Sequence, residues 1–372
     1  MRRFLIAIFL LTLLGAAAFF AEQWTFFAPG PRATHGRATA VWIRPGVRSA
    51  QIAQQLQRAG IVRNAAFFRL GVMLRGKNAA LKAGEYAIPS GASMAEIMGI
   101  LTGGKSIEHR LTAAEGLTSA MIYDIVRRDP MLVGDAGVPA AEGTLLPETY
   151  LYARGTARRE ILDRMARAQQ KFLVRMWPAR TPGLPYTSLA EAITLASIVE
   201  KETALPEERP HIAAVFINRL RLGMKLQSDP TIIYGLTKGY PLGRGIRESE
   251  LAAPTPYNTY VNAGLPPTPI CNPGKASIEA VLHPEVSSDV YFVANGTGGH
   301  VFTSSLAQHE QNVAKWRQIE KANPSPQPPL PLAPQANDNA LLKRQAETGA
   351  AHASTAPRQN HRRSSRRRRV RF

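Results

Sequence analysis

A chain of 372 residues, 45% of them hydrophobic, is long enough for two or three domains and at least one sizeable core. Its formal charge of +19 points first to a polyanionic partner, but ten Lys or Arg stand against two acids from Pro324 onward; that end carries +8 and leaves 19 − 8 = +11 for the rest, so a basic body and a basic end are separate matters. The one cysteine, Cys271, excludes an intrachain disulfide and a Cys-rich zinc site.

The chain opens "MRRFLIAIFLLTLLGAAAFFAEQW". Arg2 and Arg3 precede a run from Phe4 to Phe20 without a charge. That length lies at the short end of a membrane-spanning helix, and Trp24, Phe26 and Phe27 supply an aromatic belt beyond it. The basic start places the remainder on the far side of the membrane. We expect an uncleaved anchor over 1–27. The alternative is a signal peptide cut near Ala16 to Ala18, and either way the body is exported.

Residues 28–38, "APGPRATHGRA", form a Pro/Gly/Arg linker. A repeat follows. "IRPGVRSAQIAQQL" and "IPSGASMAEIMGIL" align Ile43 with Ile88, Gly46 with Gly91, Ile52 with Ile97 and Leu56 with Leu101. A fainter third copy, "EGLTSAMIYDIV", sets Gly116, Ile122 and Val126 at the same intervals. Each copy predicts a strand end, a glycine turn, a polar cap (Ser49, Ser93, Thr118) and an amphipathic helix. Such strand-turn-helix units resemble LysM-like modules, which bind peptidoglycan glycans. The expected subdomain covers 39–135.

A second, mixed α+β domain is expected over 136–322. The block "AAEGTLLPETYLYARG" leads into a basic amphipathic helix, "ARREILDRMARAQQKFLVRMW". After the break "TPGLPYTS", Ser188 caps the helix "LAEAITLASIVEKET". Pro206 suits the first turn of the next helix, "PEERPHIAAVFINRLRL", which Gly223 stops. Short Gly-, Pro-, Asn- and Tyr-rich segments follow, then "DVYFVA" and "GHVFT" pair as a hairpin across "NGTGG". The Pro-rich and Arg-rich end, 323–372, cannot bury a core and is expected to be disordered.

The chemistry concentrates near "LASIVEKET". Its helix is apolar almost all round, so it packs on most sides, yet it ends in Glu200 and Glu202. Both flank the apolar face, and a helical wheel does not choose between them. Solvation at a helix end, or pairing with Lys201 or Arg209, would explain either. Downstream, "LQSDPTIIYG" and "TPYNTYVNAGLPPTPICNPG" bring Gln227, Ser228, Asp229, Tyr234, Tyr257, Asn258, Thr259, Tyr260 and Asn262, a mix of amides, hydroxyls and rings. Amides answer sugar hydroxyls, and aromatic rings answer the apolar side of a pyranose. A carboxyl in a partly apolar setting has a raised pKa and can serve as a general acid. An acid, an aromatic and amide cleft and an exported body together suggest glycoside cleavage.

These segments carry a family resemblance. "EGTLLPETY", "LASIVEKET", "VFINRLRLGMKLQSDPTIIYG", "YNTYVNAGLPPTPICNPG" and "YFVANGTGGHVFTSSLAQH" resemble, in order, signatures of the endolytic murein transglycosylase, or YceG-like, family. The match covers roughly residues 40 to 320. It implies an anchor in the bacterial inner membrane, a LysM-like subdomain and a catalytic domain in the periplasm. The implied reaction is non-hydrolytic cleavage between N-acetylmuramic acid (MurNAc) and N-acetylglucosamine (GlcNAc), leaving a 1,6-anhydro end. The family's catalytic glutamate falls on Glu202, the second of the "EKE" group. On this reading Gln227, Asp229, Tyr234, Asn258 and Tyr260 are the substrate-binding candidates, with Asp229 a helper acid. Glu148 lines the cleft or caps a turn.

No metal or other cofactor is expected, because His283, His300 and His309 lack short ligand spacing. Nucleic acid is not an expected partner for an exported chain, and the basic end suits an anionic polymer or membrane surface. The resemblance suggests peptidoglycan synthases (penicillin-binding proteins) as partners beside the glycan strands. The rival reading is a non-catalytic, membrane-anchored scaffold that binds peptidoglycan.

Overall fold

The charge-free run at the start forms one long helix, α1 (Arg2–Phe27), in the computed structural model, which describes residues 2–34 and 36–322. Its stretch Phe4–Phe27 is long and apolar enough to cross a membrane. The expectation of a disordered end over 323–372 lies outside the described residues. Two compact units divide the chain between Ser106 and Ile107.

The first unit continues with β1 (Ala38–Ile43), α2 (Ser49–Arg58), α3 (Ala65–Leu74), β2 (Gly84–Pro89) and α4 (Met94–Gly103). β1 and β2 pair antiparallel, with Ala40 opposite Ala87 and Ile43 opposite Gly84. The helices cover that ribbon around Ile52, Leu56, Phe68, Tyr86, Ile97 and Leu101. Both aligned copies of the repeat are therefore real strand-turn-helix units. Their turns share one backbone state, with φ of +78° at both Gly46 and Gly91 and +75° at Gly116 of the third copy, a region open to glycine without steric cost. The caps divide. Ser93 closes a capping box with Glu96, and Thr118 accepts from Met121 N. Ser49 instead becomes the first helical residue of α2, with Arg48 at the cap and Gln51 Oε1 accepting from Arg48 N. A residue earlier was needed because the turn at Gly46 leaves the extended φ/ψ at Arg48.

In the second unit the third copy is β3 (Glu108–Thr112) and α5 (Ser119–Arg128). β3 pairs antiparallel with β4 (Thr149–Ala153), and α6 (Arg158–Met176) seals the ribbon over Ile122, Val126, Ile161 and Met165. A separate helical core follows, made by α7 (Leu189–Glu202), α8 (Arg209–Arg221), α9 (Asp229–Thr237) and, after the short α10 (Glu248–Leu251), α11 (Lys275–Leu282). The expected hairpin is β5 (Tyr291–Ala294) with β6 (His300–Thr303), followed by α12 (Leu306–Ala322).

α7 is the centre of that core. Leu195, Ala196, Ile198 and Val199 have no exposed surface, and burying each of the three larger ones contributes roughly 1.5–3 kcal/mol. Its start is fixed as expected, since Ser188 and Glu191 form a capping box. The helix after it begins later than expected. Pro206 opens a 3₁₀ turn to Glu208, and α8 starts only at Arg209. Pro210 explains this: a prolyl ring has no N–H and would meet the carbonyl four residues back if an α-helix ran from Pro206, so Pro210 takes the first turn.

Candidate active site

The last turn of α7 sends three consecutive side chains to three places. Glu200 turns inward: Oε2 accepts from Gly274 N at 2.9 Å, at the start of α11, and Oε1 lies 3.6 Å from Arg209 Nη2. Arg209 is itself buried and also faces Glu115 at 3.7 Å. Lys201 reaches toward the carbonyl of Gly116 at 3.4 Å. Glu202 goes elsewhere, and its Oε1 accepts from Ser228 Oγ at 2.5 Å. The two glutamates that a helical wheel leaves equivalent are thus distinct: one ties loops together, the other stays half-buried against Ser228.

Ser228 is held from both sides. It is buried, its N–H donates to Thr259 Oγ1 at 3.0 Å, and its carbonyl accepts from Thr231 Oγ1 at 2.6 Å. Gln227 before it has φ of +53°, unusual for a residue with a side chain, and its N–H donates to Thr259 O at 3.1 Å. Ser228 then continues in extended backbone, so that its side chain points in at Glu202 while Gln227 and Asp229 on either side are exposed. Asp229 Oδ1 accepts from Tyr260 Oη at 2.6 Å. Beneath this group lies Arg219, buried, whose Nε donates to Val290 O and whose Nη1 donates to Leu226 O, both at 2.7 Å.

The electrostatics follow from this packing. Burial pushes the Glu202 carboxyl up to about 7; the Ser228 hydroxyl and the Arg219 charge pull it down, and the negative charge of Asp229 pushes it further up. A carboxyl at that level exchanges its proton near neutral pH. Burial also raises the Tyr260 phenol, reinforced by its bond to Asp229, so Tyr260 stays a neutral donor.

Of the residues expected at the site, Glu202, Gln227, Asp229 and Tyr260 come together. Tyr234 and Asn258 sit differently. Tyr234 is buried with its hydroxyl 3.5 Å from Glu142 Oε1 and its ring edge-on to Tyr257 at 4.9 Å. The Asn258 amide is buried and donates to the carbonyls of Glu250, Leu251 and Ala253, while its Oδ1 accepts from Tyr260 N. It shapes the loop that presents Tyr260. Glu148 pairs with Lys275 at the surface.

Sequence reading missed Arg219, the anchoring role of Ser228, and a second acid, Glu142. Arg219 did leave a signal. It follows Ile212 and Phe216 at helical spacing on the buried face of α8, where a solvated arginine has no place. Glu142 accepts from Ser119 N at 2.9 Å and lies 3.5 Å from Asn272 Nδ2. Burial raises its carboxyl, against the hydrogen bonds from Ser119 and Tyr234. Asn272 in turn donates to Leu117 O, and its Oδ1 accepts from Leu145 N, so it binds "EGTLL" to "ICNPG". Among the described residues no group of three or more His, Cys, Asp or Glu is arranged to hold a metal ion.

The chain is similar to known proteins. A family model described as the YceG-like family matches residues 41–315. A Bacillus subtilis (strain 168) protein named endolytic murein transglycosylase is 36% identical over 183 residues, covering 49% of this chain and 49% of its own length. A Streptococcus pneumoniae (strain D39) protein of the same name is 30% identical over 354 residues, covering 82% of this chain and 63% of its own. The chain thus spans between about half and under two thirds of the curated relatives it matches. A crystal structure of a yceG-like protein from Listeria monocytogenes is 29% identical and covers 74% of this chain and 99% of its own, with a TM-score of 0.44.

Proposed function

This chain belongs to the YceG-like family, and we propose that it is a membrane-anchored endolytic murein transglycosylase that cuts the MurNAc–GlcNAc bond of peptidoglycan strands without consuming water. The curated relatives in Bacillus subtilis and Streptococcus pneumoniae carry that name. The observation that carries the reading is Glu202: a half-buried carboxyl raised to about 7 by burial, with one oxygen fixed by Ser228.

The proposed chemistry uses that one group twice. Protonated Glu202 gives its proton to the glycosidic oxygen as the bond from MurNAc C1 breaks, and the electron pair leaves with the GlcNAc oxygen. The C6 hydroxyl of the same MurNAc then closes on C1, and the Glu202 carboxylate takes its proton. Atoms and charge balance, and the acid is regenerated. The substrate brings its own nucleophile, so a second catalytic carboxylate is not required as it is in the usual two-acid glycosidase. A pKa near the working pH suits a group that must both give and take a proton.

Gln227, Asp229 and Tyr260 are assigned to the sugar, being grouped around Glu202, with Asp229 also keeping the Glu202 proton in place by its charge. Tyr234 and Asn258 are assigned to the walls. For the first unit we propose the LysM-like role of holding a strand. A groove of about 530 Å³ there is lined by Trp42, Arg44, Gln51, Gln55 and Arg58, a ring, amides and cations suited to an acidic glycan. The α1 helix is assigned as a single-pass anchor in the inner membrane, with the body in the periplasm, and peptidoglycan synthases as neighbours.

The test is product analysis with the full chain in detergent, acting on uncrosslinked peptidoglycan strands, with Glu202→Gln alongside. Mass spectrometry should find 1,6-anhydro-MurNAc ends with the wild type and none with the variant. Reducing ends would mean hydrolysis and a second acid, with Asp229 first in line. Binding without cleavage by either protein would leave the scaffold reading.

A further inference from the structure

The first unit holds a helix whose outer face has no reason to be apolar in water. α3 buries Phe68, Gly71 and Val72 against the core. Its other side shows Phe67, Leu70, Met73 and Leu74, between 38% (Leu70) and 56% (Leu74) exposed. Phe67, Leu70 and Leu74 recur at i, i+3 and i+7, so they form one stripe. Arg63, Arg69 and Lys77 are exposed around it. An apolar stripe with cationic flanks is the pattern of a helix that lies in a lipid interface.

Where α3 is held matters as much as what it shows. Arg75, the residue just after α3, donates to Glu22 Oε1 and Gln23 Oε1, both at 2.8 Å, and its guanidinium lies over the Phe26 ring at 3.8 Å. Phe26 is buried. It lies against Gly71, where even one added carbon would come within 2.2 Å of its ring, so a side chain there would prevent the approach. Glu22 is the first charge after the apolar run, and α1 extends only about 8 Å beyond it at 1.5 Å per residue. The clamp therefore fixes α3 at the depth where the span ends. Trp24 and Phe27, exposed at 82% and 60%, sit at that depth on α1 itself.

We infer that the exposed face of α3 docks on the bilayer surface, so that the first unit is seated on the membrane by two helices, one crossing it and one lying in its headgroup region. The occupant is lipid, because the face continues from the anchor through the Arg75 and Phe26 contacts and because its rim is basic, which favours anionic headgroups. This rests on the reading of α1 as an uncleaved membrane anchor. The second helix does what the first cannot: a single span leaves a unit free to swivel, whereas a span plus an interfacial face fixes its tilt.

The experiment uses the full chain in vesicles of phosphatidylethanolamine and phosphatidylglycerol. Cysteines are introduced singly at Leu11, Gln54, Leu70 and Leu74 and labelled with an environment-sensitive dye; Cys271 is buried and leaves the label to the new sites. Lipids quenching at shallow depth should lower the emission at Leu70→Cys and Leu74→Cys at least two-fold and leave Gln54→Cys on α2 unchanged. Deep quenchers should act on Leu11→Cys. Quenching at Leu11→Cys with Leu70→Cys and Leu74→Cys open to aqueous iodide overturns the docking and leaves the anchor standing. Shielding from iodide without lipid quenching means that protein covers the face, and it also overturns the inference. Without quenching at Leu11→Cys both the anchor and the docking fall.

Discussion

The Ser228 hydroxyl donates to Glu202 Oε1 at 2.5 Å, across 26 residues of sequence, joining the end of α7 to the cap of α9. This bond fixes which oxygen of Glu202 is free to face a substrate. It also stabilises the carboxylate form, against the burial that disfavours it.

Removing that hydroxyl should therefore move a titration. In Ser228→Ala the Glu202 carboxyl should rise above about 7, by about one unit if the bond to the charged form is worth 1.5–3 kcal/mol less what water recovers. The limb of the rate–pH profile set by Glu202 should shift to higher pH by that amount. Ser228→Thr keeps the hydroxyl and should leave the limb in place. A loss of rate at every pH with no shift would assign Ser228 to packing alone.

Glu202 should weaken the fold it serves. Its carboxyl lies near 7 in the folded protein against an ordinary 4.5, so between those values the folded state binds more protons than the unfolded one. Its contribution is fully present below about 4.5 and is lost as pH rises toward 7. Glu202→Gln keeps an acceptor for Ser228 and carries no charge. It should unfold with about 2 kcal/mol more stability than the wild type at pH 8 and with little difference at pH 4. Urea titrations at the two pH values read this directly, and equal differences at both would refute it.

Glu200 should separate from Glu202 in the opposite sense. Glu200→Gln keeps an oxygen for Gly274 N but removes the charge beside buried Arg209. Stability should fall by roughly 1–3 kcal/mol, while the folded variant still generates products. If Glu200→Gln abolished product at full stability, the assignment of the catalytic group would have to be reopened.

Arg219 should resist conservative replacement. Its planar fork holds Val290 O and Leu226 O from inside the protein. Lysine has one point of attachment and cannot reach both in that geometry. Arg219→Lys and Arg219→Met should each cost about 2–4 kcal/mol, since both leave buried carbonyls short of donors. A thermal melt of Arg219→Lys close to the wild type would contradict this.

The repeat, the caps at Ser93 and Ser188 and the final hairpin were legible because each is a local pattern: a glycine at a fixed offset, a serine three residues before a glutamate, two β-rich runs around a turn. The family resemblance pointed to Glu202, but its surroundings were not legible. Ser228 read only as one more loop hydroxyl suited to sugar, and its role depends on Thr231, one turn into the helix that Ser228 caps, and on Thr259 from another loop, which together hold its backbone. Asn258 and Tyr234 have side chains that suit sugars, yet burial spends both on protein partners. Side-chain type forecasts what a residue can bond; only the fold decides which bonds remain. Pro210 shows the reverse case, where one local rule about the prolyl ring accounts for the start of α8.

The three-way divergence at the end of α7 has a consequence for how this protein can change length. Each residue added to a helix rotates everything after it by about 100°. One insertion between Ser188 and Glu200 would turn Glu200 from Gly274, Lys201 from Gly116 and Glu202 from Ser228 in a single step. The segment 189–202 should therefore tolerate substitutions on its surface but neither insertion nor deletion, whereas the exposed turn at 296–298 can gain residues without moving the acid. A scan of single-residue insertions through the second unit would chart the register on which the site depends.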